Sequence, residues 1–245
     1  MYRRAVVFCG LLFHLLCTVQ SFGQQLPDSD SSFYAASLRQ LYQVYFHQIG
    51  PNAALFNGTE YIRNGQKATG FPFFESNDPV RGTVSYNGLL YPDARLQYDL
   101  VLDELITSNY QHDALIKLSK EKVDSFSIGE HHFMRLDARN TNGSFTNTGY
   151  YEQLTFNEFP VFAKRVKKLI VPNGYEDSKY IQYNTFYLRL RGGFYPVDKK
   201  NSLLDLLGDK RDLLKKFIRA HKLNFRKKPE EAIVRTTGYY ARLNP

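Results

Sequence analysis

Apolar and polar residues alternate along most of the chain between residues 54 and 197, and turn-forming dipeptides separate the alternating runs. In the clearest case, residues 84–86 and 89–91 flank Asn87-Gly88, a dipeptide that favours a two-residue hairpin turn. Further strands are predicted over residues 96–102, 104–107, 114–118, 123–128, 131–136, 150–155, 161–171 and 181–191. Because no helical pattern separates these strands, the sequence predicts an antiparallel meander of about eight to ten strands.

A helical period replaces this alternation at both ends of the chain. Residues 32–49 carry an apolar stripe at helical spacing, which is formed by Leu38, Leu41, Tyr42, Tyr45 and Ile49. Gly50-Pro51 ends this predicted helix. After residue 198 the pattern predicts basic helices that pack on the same domain, so that the whole chain predicts an α+β fold. A helix laid across a curved sheet would leave a concave apolar face for a ligand.

Three helical segments make up the predicted C-terminal cap over residues 198–245. The first spans residues 202–207 and ends at Gly208, and Asp209 is placed to cap the second. The third begins at Pro229, a residue that suits the first helical position. The inward face of the second helix is predicted to consist of Leu213, Leu214, Phe217, Ile218 and His221. The apolar contacts of the third helix are predicted to come from Ala232, Ile233, Tyr240 and Leu243.

The first 23 residues have the three-part pattern of a cleavable signal peptide. Arg3 and Arg4 precede an apolar run over residues 5–19, and small residues stand three and one positions before Gln24. This run is shorter than the roughly 20 residues of a membrane-spanning helix, and no later stretch approaches that length, so no transmembrane span is predicted. The sequence therefore predicts export, with a polar leader over residues 24–31 followed by one domain.

Both cysteines lie inside the predicted signal peptide, at Cys9 and Cys17. The residue before Cys17 is Leu16, whereas a lipidated cysteine normally follows a small residue, so lipidation is disfavoured. The exported chain is therefore expected to fold without disulfides.

The positive charge is concentrated near the C-terminus. The net charge is +8, and residues 198–245 hold 13 Lys and Arg against 6 Asp and Glu, whereas residues 24–197 are nearly balanced. This excess predicts a surface for an anionic partner, namely an envelope protein, an anionic lipid or an acidic glycan, and export disfavours nucleic acid. The alternative is a solvated helix face. The residues of the predicted surface are Lys215, Lys216, Arg219, Lys222, Arg226, Lys227 and Lys228.

Two groups of residues have side chains suited to catalysis or metal binding. His131 and His132 are neighbours on a predicted strand and so point to opposite faces, and a shared metal would also need a distant ligand such as His112 or Asp113. The alternative to a metal site is purely structural, with two partly exposed histidines at the edge of a hairpin. The second group, Asp99, Asp103 and Glu104, places carboxylates near one turn, as glycoside hydrolysis requires, but such proximity is common by chance.

No hydrolase, phosphate-loop or cysteine-nucleophile motif occurs in the sequence. We therefore predict no catalytic, cofactor-binding or metal-binding residue. The basic run at residues 164–168 is divided by strand alternation between two faces and does not form one patch.

Residues 82–106 (GTVSYNGLLYPDARLQYDLVLDELI) and residues 186–240 resemble segments of exported Bacteroidota proteins that have no assigned activity. The end of the signal, Phe22-Gly23-Gln24, is also similar to signals of that group. The resemblance implies a Gram-negative envelope protein that is periplasmic, associated with the outer membrane or extracellular. It carries over no catalytic residue.

Three functions are compatible with these observations. The first is a non-enzymatic envelope protein that binds or scaffolds another component, and it predicts a filled core with features only on the surface. The second is a carrier of a lipid-like ligand, which requires a continuous apolar cavity in a curved sheet. The third is a hydrolase with an unmarked site, which requires a cleft where Asp, Glu or His side chains converge.

Overall fold

The computed structural model describes residues 53–63, 65, 67–109, 111, 114–138, 147–173 and 177–244, together with the single positions 37, 40, 41, 44 and 48. The predicted signal peptide, leader and most of the helix over residues 32–49 lie outside the described residues, as do residues 139–146 of the polar loop. All of the described sheet and the C-terminal helices belong to the compact unit Tyr42–Pro245. No helix in this described part has the length and hydrophobicity needed to cross a bilayer.

In the described part of the chain, twelve strands form a single sheet, and three α-helices follow it. The strands are β1 (Thr59–Glu60), β2 (Ala68–Thr69), β3 (Val80–Tyr86), β4 (Leu89–Asp99), β5 (Glu104–Ser108), β6 (Leu115–Lys117), β7 (Val123–Ile128), β8 (His131–Leu136), β9 (Gly149–Gln153), β10 (Val161–Ile170), β11 (Ser178–Leu190) and β12 (Gly193–Pro196). The helices are α1 (Lys200–Leu206), α2 (Arg211–Ala220) and α3 (Pro229–Leu243), and short 3-10 turns occupy Ala54–Phe56, Lys120–Lys122 and Gly208–Lys210.

The strand order corrects the prediction of one antiparallel meander. The order is β1-β6-β5-β4-β3-β7-β8-β9-β10-β11-β12, so β3–β6 and β7–β12 are two meanders, and the chain returns from β6 to pair β7 with β3. The sheet is also mixed, because β2 pairs with β11 in parallel. The two shortest strands, β1 and β2, were not predicted because two residues carry no alternation. The predominantly β character and the C-terminal helical cap are confirmed.

The predicted hairpin is formed by β3 and β4. Asn87 and Gly88 adopt positive φ angles of 53° and 76°, as a two-residue turn of this type requires. The turn pairs Tyr86 with Leu89 and Val84 with Tyr91. It therefore fixes which side chains of this hairpin face the core.

Aromatic side chains fill the main core. The ring of Tyr98 makes edge contacts with Phe126, Phe133 and Tyr150, at centroid distances of 5.3, 5.2 and 5.6 Å. The sheet curves around these rings. Strands β4 and β10 are not neighbours in the sheet, yet the backbone N–H of Lys167 in β10 donates to the carbonyl of Leu100, just after β4. The inside of the curve is thus occupied by side chains of the protein itself.

The C-terminal helices pack on β10 and β11. Their shared core consists of Val161, Ala163, Phe186, Leu188, Val197, Leu203, Leu204, Leu207, Leu214, Ile218, Ile233 and Tyr240. Two of the residues predicted to be buried in α2, Leu213 and His221, are instead exposed, and Phe217 is half-buried against Tyr239. The buried stripe of α2 is narrower than predicted because only Leu214 and Ile218, one turn apart, face this core.

The predicted cap of α2 is also wrong. Asp209 lies in the preceding 3-10 turn, and no side chain caps the helix at Lys210. The carboxylate of Asp209 instead accepts a hydrogen bond from the hydroxyl of Tyr240 at 3.1 Å. This contact ties the start of α2 to α3.

Candidate functional site

A groove between α1 and α2 gathers four cationic side chains. Its volume is about 580 Å³, and its lining includes Lys200, Lys215, Arg219 and Lys222. Apolar side chains also line it, namely Leu204, Ile218, Leu223 and Phe225. We call this feature the basic groove. It combines positive charge with an apolar floor, which is the chemistry that suits an anionic amphiphile.

Local helix geometry explains why three of these cations are together. Lys215 and Arg219 are four residues apart on α2, so they lie on one side of the helix. Lys222 has a positive φ of 52°, and the N–H of Leu223 donates to the carbonyl of Ile218 at 3.0 Å. This left-handed turn ends α2 and reverses the chain, which keeps Lys222 beside the same groove.

The basic groove has little compensating negative charge. No Asp or Glu is among the described residues that line it. Lys215 has one acidic neighbour, Asp212 at 3.4 Å, and this pair is exposed to solvent and therefore weak. Four like charges around one groove repel one another, so an anion bound among them lowers the electrostatic energy of this surface.

The structure divides the predicted basic surface into separate parts. Lys215, Arg219 and Lys222 line the basic groove, whereas Lys216, Arg226 and Lys227 are exposed and do not line it. Lys228 lies against Glu231 at 3.4 Å and lines a different groove, next to Pro229 and Glu230.

Sequence reasoning missed Lys200 because this residue precedes α2 by more than ten positions. The only sequence signal for it is the pair Lys199-Lys200 at the start of α1.

A buried ionic network connects the sheet with α3. Glu152 in β9 is 3% exposed, and its two oxygens contact Nδ1 of His131 at 2.5 Å and Nε of Arg165. Arg165 also contacts Glu230 of α3 at 3.0 Å, and Nε2 of His131 contacts Glu75 at 3.2 Å. Burial opposes the charge on Arg165, but the hydrogen bonds to Glu152 and Glu230 outweigh it and raise the pKa of Arg165.

The two neighbouring histidines lie on opposite faces of β8, as predicted. His131 joins the buried network, whereas His132 is exposed and meets Phe156 edge-on at a centroid distance of 5.4 Å. No group of three His, Cys, Asp or Glu in the described part of the chain could hold a metal ion. The distant ligands considered from sequence, His112 and Asp113, lie outside the described residues.

The three carboxylates near one turn have separate partners. Asp99 accepts the hydroxyl of Tyr61 at 2.8 Å and the N–H of Val101 at 2.7 Å. Glu104 lies 3.7 Å from Lys117. Because Asp99 is engaged in hydrogen bonds and Glu104 lies near a lysine, these described carboxylates do not form a free pair of the kind that glycoside hydrolysis uses.

The third carboxylate, Asp103, is the centre of a second network. It accepts hydrogen bonds from the hydroxyl of Tyr98 at 2.6 Å, from Lys164 at 2.6 Å and from Lys120 at 3.1 Å. Burial lowers the pKa of Lys164 despite this carboxylate, and burial together with Asp103 raises the pKa of Tyr98. Lys164 and Arg165 therefore serve different networks, as strand alternation predicted.

Comparison of the chain with models of protein families, with curated proteins and with solved structures found no significant match.

Proposed function

We propose that the protein is an exported, non-enzymatic component of the cell envelope that binds anionic lipid through the basic groove. The observation that carries this proposal is the convergence of Lys200, Lys215, Arg219 and Lys222 on one groove without an acidic side chain in its described lining. Export and an envelope location rest on the signal-like first 23 residues and on the resemblance to exported Bacteroidota proteins. A periplasmic or outer-membrane-associated position is the corresponding proposal.

Lipid suits the groove better than a soluble anion or an acidic glycan because the groove is amphipathic. Its cations match the phosphate of a headgroup, and Leu223 and Phe225 are only partly buried and line the same space. A lysine or arginine near an anionic membrane surface contributes about 1 kcal/mol, so four contribute about 4 kcal/mol, or roughly a thousandfold in partitioning.

The two alternatives have less support from the described residues. A carrier requires an apolar cavity within the curved sheet, and the aromatic rings around Tyr98 fill that space. A hydrolase requires a general base oriented by a partner, but the imidazole of His132 is exposed and contacts Phe156 rather than a described carboxylate, and His131 is held by the buried Glu152. Both ring nitrogens of His131 already contact carboxylates, so neither is presented to a substrate.

Vesicle co-sedimentation tests the proposal. The protein should bind vesicles of phosphatidylglycerol but not of phosphatidylcholine, and added salt should reduce this binding. The variant Lys200→Gln/Lys215→Gln/Arg219→Gln/Lys222→Gln should lose most of the binding while keeping its stability, because exposed charges contribute little to folding.

The matched control removes four cations that do not line the groove, in the variant Lys122→Gln/Lys216→Gln/Arg226→Gln/Lys227→Gln. This control should keep most of the binding. Equal losses in both variants would show that the net charge acts, not the groove, and unchanged binding by the groove variant would refute the proposed site.

A further inference from the structure

A second groove lies on the face of the sheet that points away from the aromatic core. Val84, Phe126 and Phe133 point into that core, so their neighbours along β3, β7 and β8 point outward. The outward side chains enclose a groove of about 480 Å³. We call it the hydroxyl groove, and its outward-pointing lining side chains are Thr83, Ser85, Leu90, Ser125, Ser127, His132, Met134 and Gln153.

Strand register arranges the polar side chains of this groove in a row. Thr83 pairs with Ser127, and Ser127 pairs with His132. In the antiparallel pair of β8 and β9, Phe133 lies opposite Glu152. The next position along places Gln153 opposite His132, so Gln153 continues the row. Four adjacent strands place the ends of this row about 14 Å apart. Small Ser and Thr side chains share this lining with the larger Leu90 and Met134.

The lining of the hydroxyl groove has no formal charge of its own, although one lining side chain, Ser85, donates to the neighbouring carboxylate of Asp124 at 3.2 Å. No Asp, Glu, Lys or Arg is among the described residues that line it. Several of its hydrogen-bonding groups are available to a ligand, since no hydrogen bond joins the hydroxyl of Thr83, the hydroxyl of Ser125 or the imidazole of His132 to another described residue. Leu90 and Met134 add apolar surface to the same lining, so a ligand that fits is uncharged and presents both C–H faces and hydroxyl groups.

An exposed aromatic ring stands beside the row. Phe156 is 70% exposed and touches His132 edge-on. Its loop is ordered by hydrogen bonds, because the N–H of Val161 donates to the hydroxyl of Thr155 at 2.8 Å and the N–H of Phe159 donates to Asn157 at 3.0 Å. The loop therefore holds an apolar ring in water next to hydrogen-bonding groups.

From this combination we infer that the hydroxyl groove binds a linear, uncharged oligosaccharide. The sugar hydroxyls exchange hydrogen bonds with Thr83, Ser125, His132 and Gln153, and the C–H face of one sugar ring packs on Phe156. The row is long enough for several sugar rings, which favours a chain over a single sugar. This site lies on the opposite face of the sheet from the C-terminal helices and does not depend on the lipid-binding proposal.

The test is calorimetric titration of the purified protein with maltoheptaose, cellohexaose and chitohexaose, with dextran sulfate as the anionic comparison. At least one of the three uncharged oligosaccharides should bind saturably with one site, and dextran sulfate should not compete for it. Phe156→Ala should weaken the Kd about three- to tenfold, as the loss of one ring contact does. Thr83→Val/Ser125→Ala keeps the size of two side chains, removes their hydroxyls and should weaken the Kd about tenfold.

Two control variants make the result specific. Tyr183→Ala removes an exposed aromatic ring from β11, outside the groove, and should leave the Kd unchanged. The four-fold basic-groove variant should also bind the oligosaccharide normally, which separates this inference from the lipid proposal. Absence of saturable binding by all three oligosaccharides would overturn the inference, as would an unchanged Kd in both groove variants.

Discussion

Two neighbouring leucines of α2 provide a direct test of how the C-terminal helices dock. Leu214 is 0% exposed and belongs to the core shared with β10 and β11, whereas Leu213 is 44% exposed. Replacing either by Ala removes the same atoms from the same helix and changes helix propensity little. Leu214→Ala should lower the free energy of unfolding by about 2–5 kcal/mol, since it leaves a cavity in a closed core. Leu213→Ala should lower it by about 1 kcal/mol or less.

Phe217 should fall between these two cases. Its ring stacks on Tyr239 of α3 with a centroid distance of 4.2 Å and an interplanar angle of 5°, but the side chain is only half-buried. From sequence, a loss of about 3–5 kcal/mol is expected for a fully buried phenylalanine. The structure reduces the expected cost of Phe217→Ala to about 2 kcal/mol, because part of the side chain is already in contact with water.

Urea denaturation followed by far-ultraviolet circular dichroism measures all three costs. The expected order of destabilisation is Leu214→Ala, then Phe217→Ala, then Leu213→Ala, with similar m-values. Equal costs for the two leucine variants, or a larger cost for Leu213→Ala, would mean that α2 does not dock through Leu214. The placement of the basic groove would then be wrong as well, because Lys215 and Arg219 lie on this helix.

Two further predictions concern buried ionisable groups. Glu152→Gln should lower the free energy of unfolding by about 3–5 kcal/mol, because it leaves Arg165 buried with fewer partners. Glu75→Gln, at the exposed end of the same network, should lower it by less than about 1 kcal/mol. Similar costs for the two variants in urea denaturation would contradict this network. Stability should also fall above the ordinary tyrosine pKa of 10.0, by up to about 1.4 kcal/mol per pH unit for each residue affected, since the folded state keeps phenol protons that the unfolded state loses. Burial raises the pKa of Tyr61, Tyr98, Tyr150 and Tyr151. The lowered pKa values of Lys164 and Lys167 act in the opposite direction only up to their ordinary value of 10.5, so urea midpoints that are unchanged on the alkaline side would refute the burial of these phenols.

Local patterns in the sequence were sufficient to predict most elements of the fold. The β3–β4 hairpin follows from Asn87-Gly88, and β7 and β8 match their predicted bounds because alternation and turn residues mark both ends. The start of α3 follows from Pro229. These features depend on contacts between residues close in sequence, which is why a single sequence contains them.

Long-range pairing was not predictable in this way. The parallel pair of β2 and β11 joins Ala68 to Ser178, and β7 pairs with β3 although three strands, β4 to β6, separate them along the chain. The ionic network has the same character, because Glu152 meets Arg165 and His131 only after three strands have paired. The basic residues of α2 were predictable as a group, but their convergence with Lys200 depends on the packing of α1.

The stability of the fold and the proposed lipid site are coupled through the same helices. Helices of 7, 10 and 15 residues are marginal in isolation, so α1, α2 and α3 depend on the sheet beneath them for their structure. Leu214 and Ile218 supply apolar contact, the Arg165–Glu230 pair joins β10 to α3, and the Tyr240–Asp209 bond joins α3 to the start of α2. The four cations of the basic groove lie on this helical layer and make none of these contacts. Among the described residues, Lys215 pairs only with the exposed Asp212 of its own helix. Leu204 and Ile218 belong to both the lining of the groove and the core, but the four cations do not belong to the core. Removing the charges should therefore change recognition with little effect on folding, whereas removing the core contacts should unfold the surface that presents the charges.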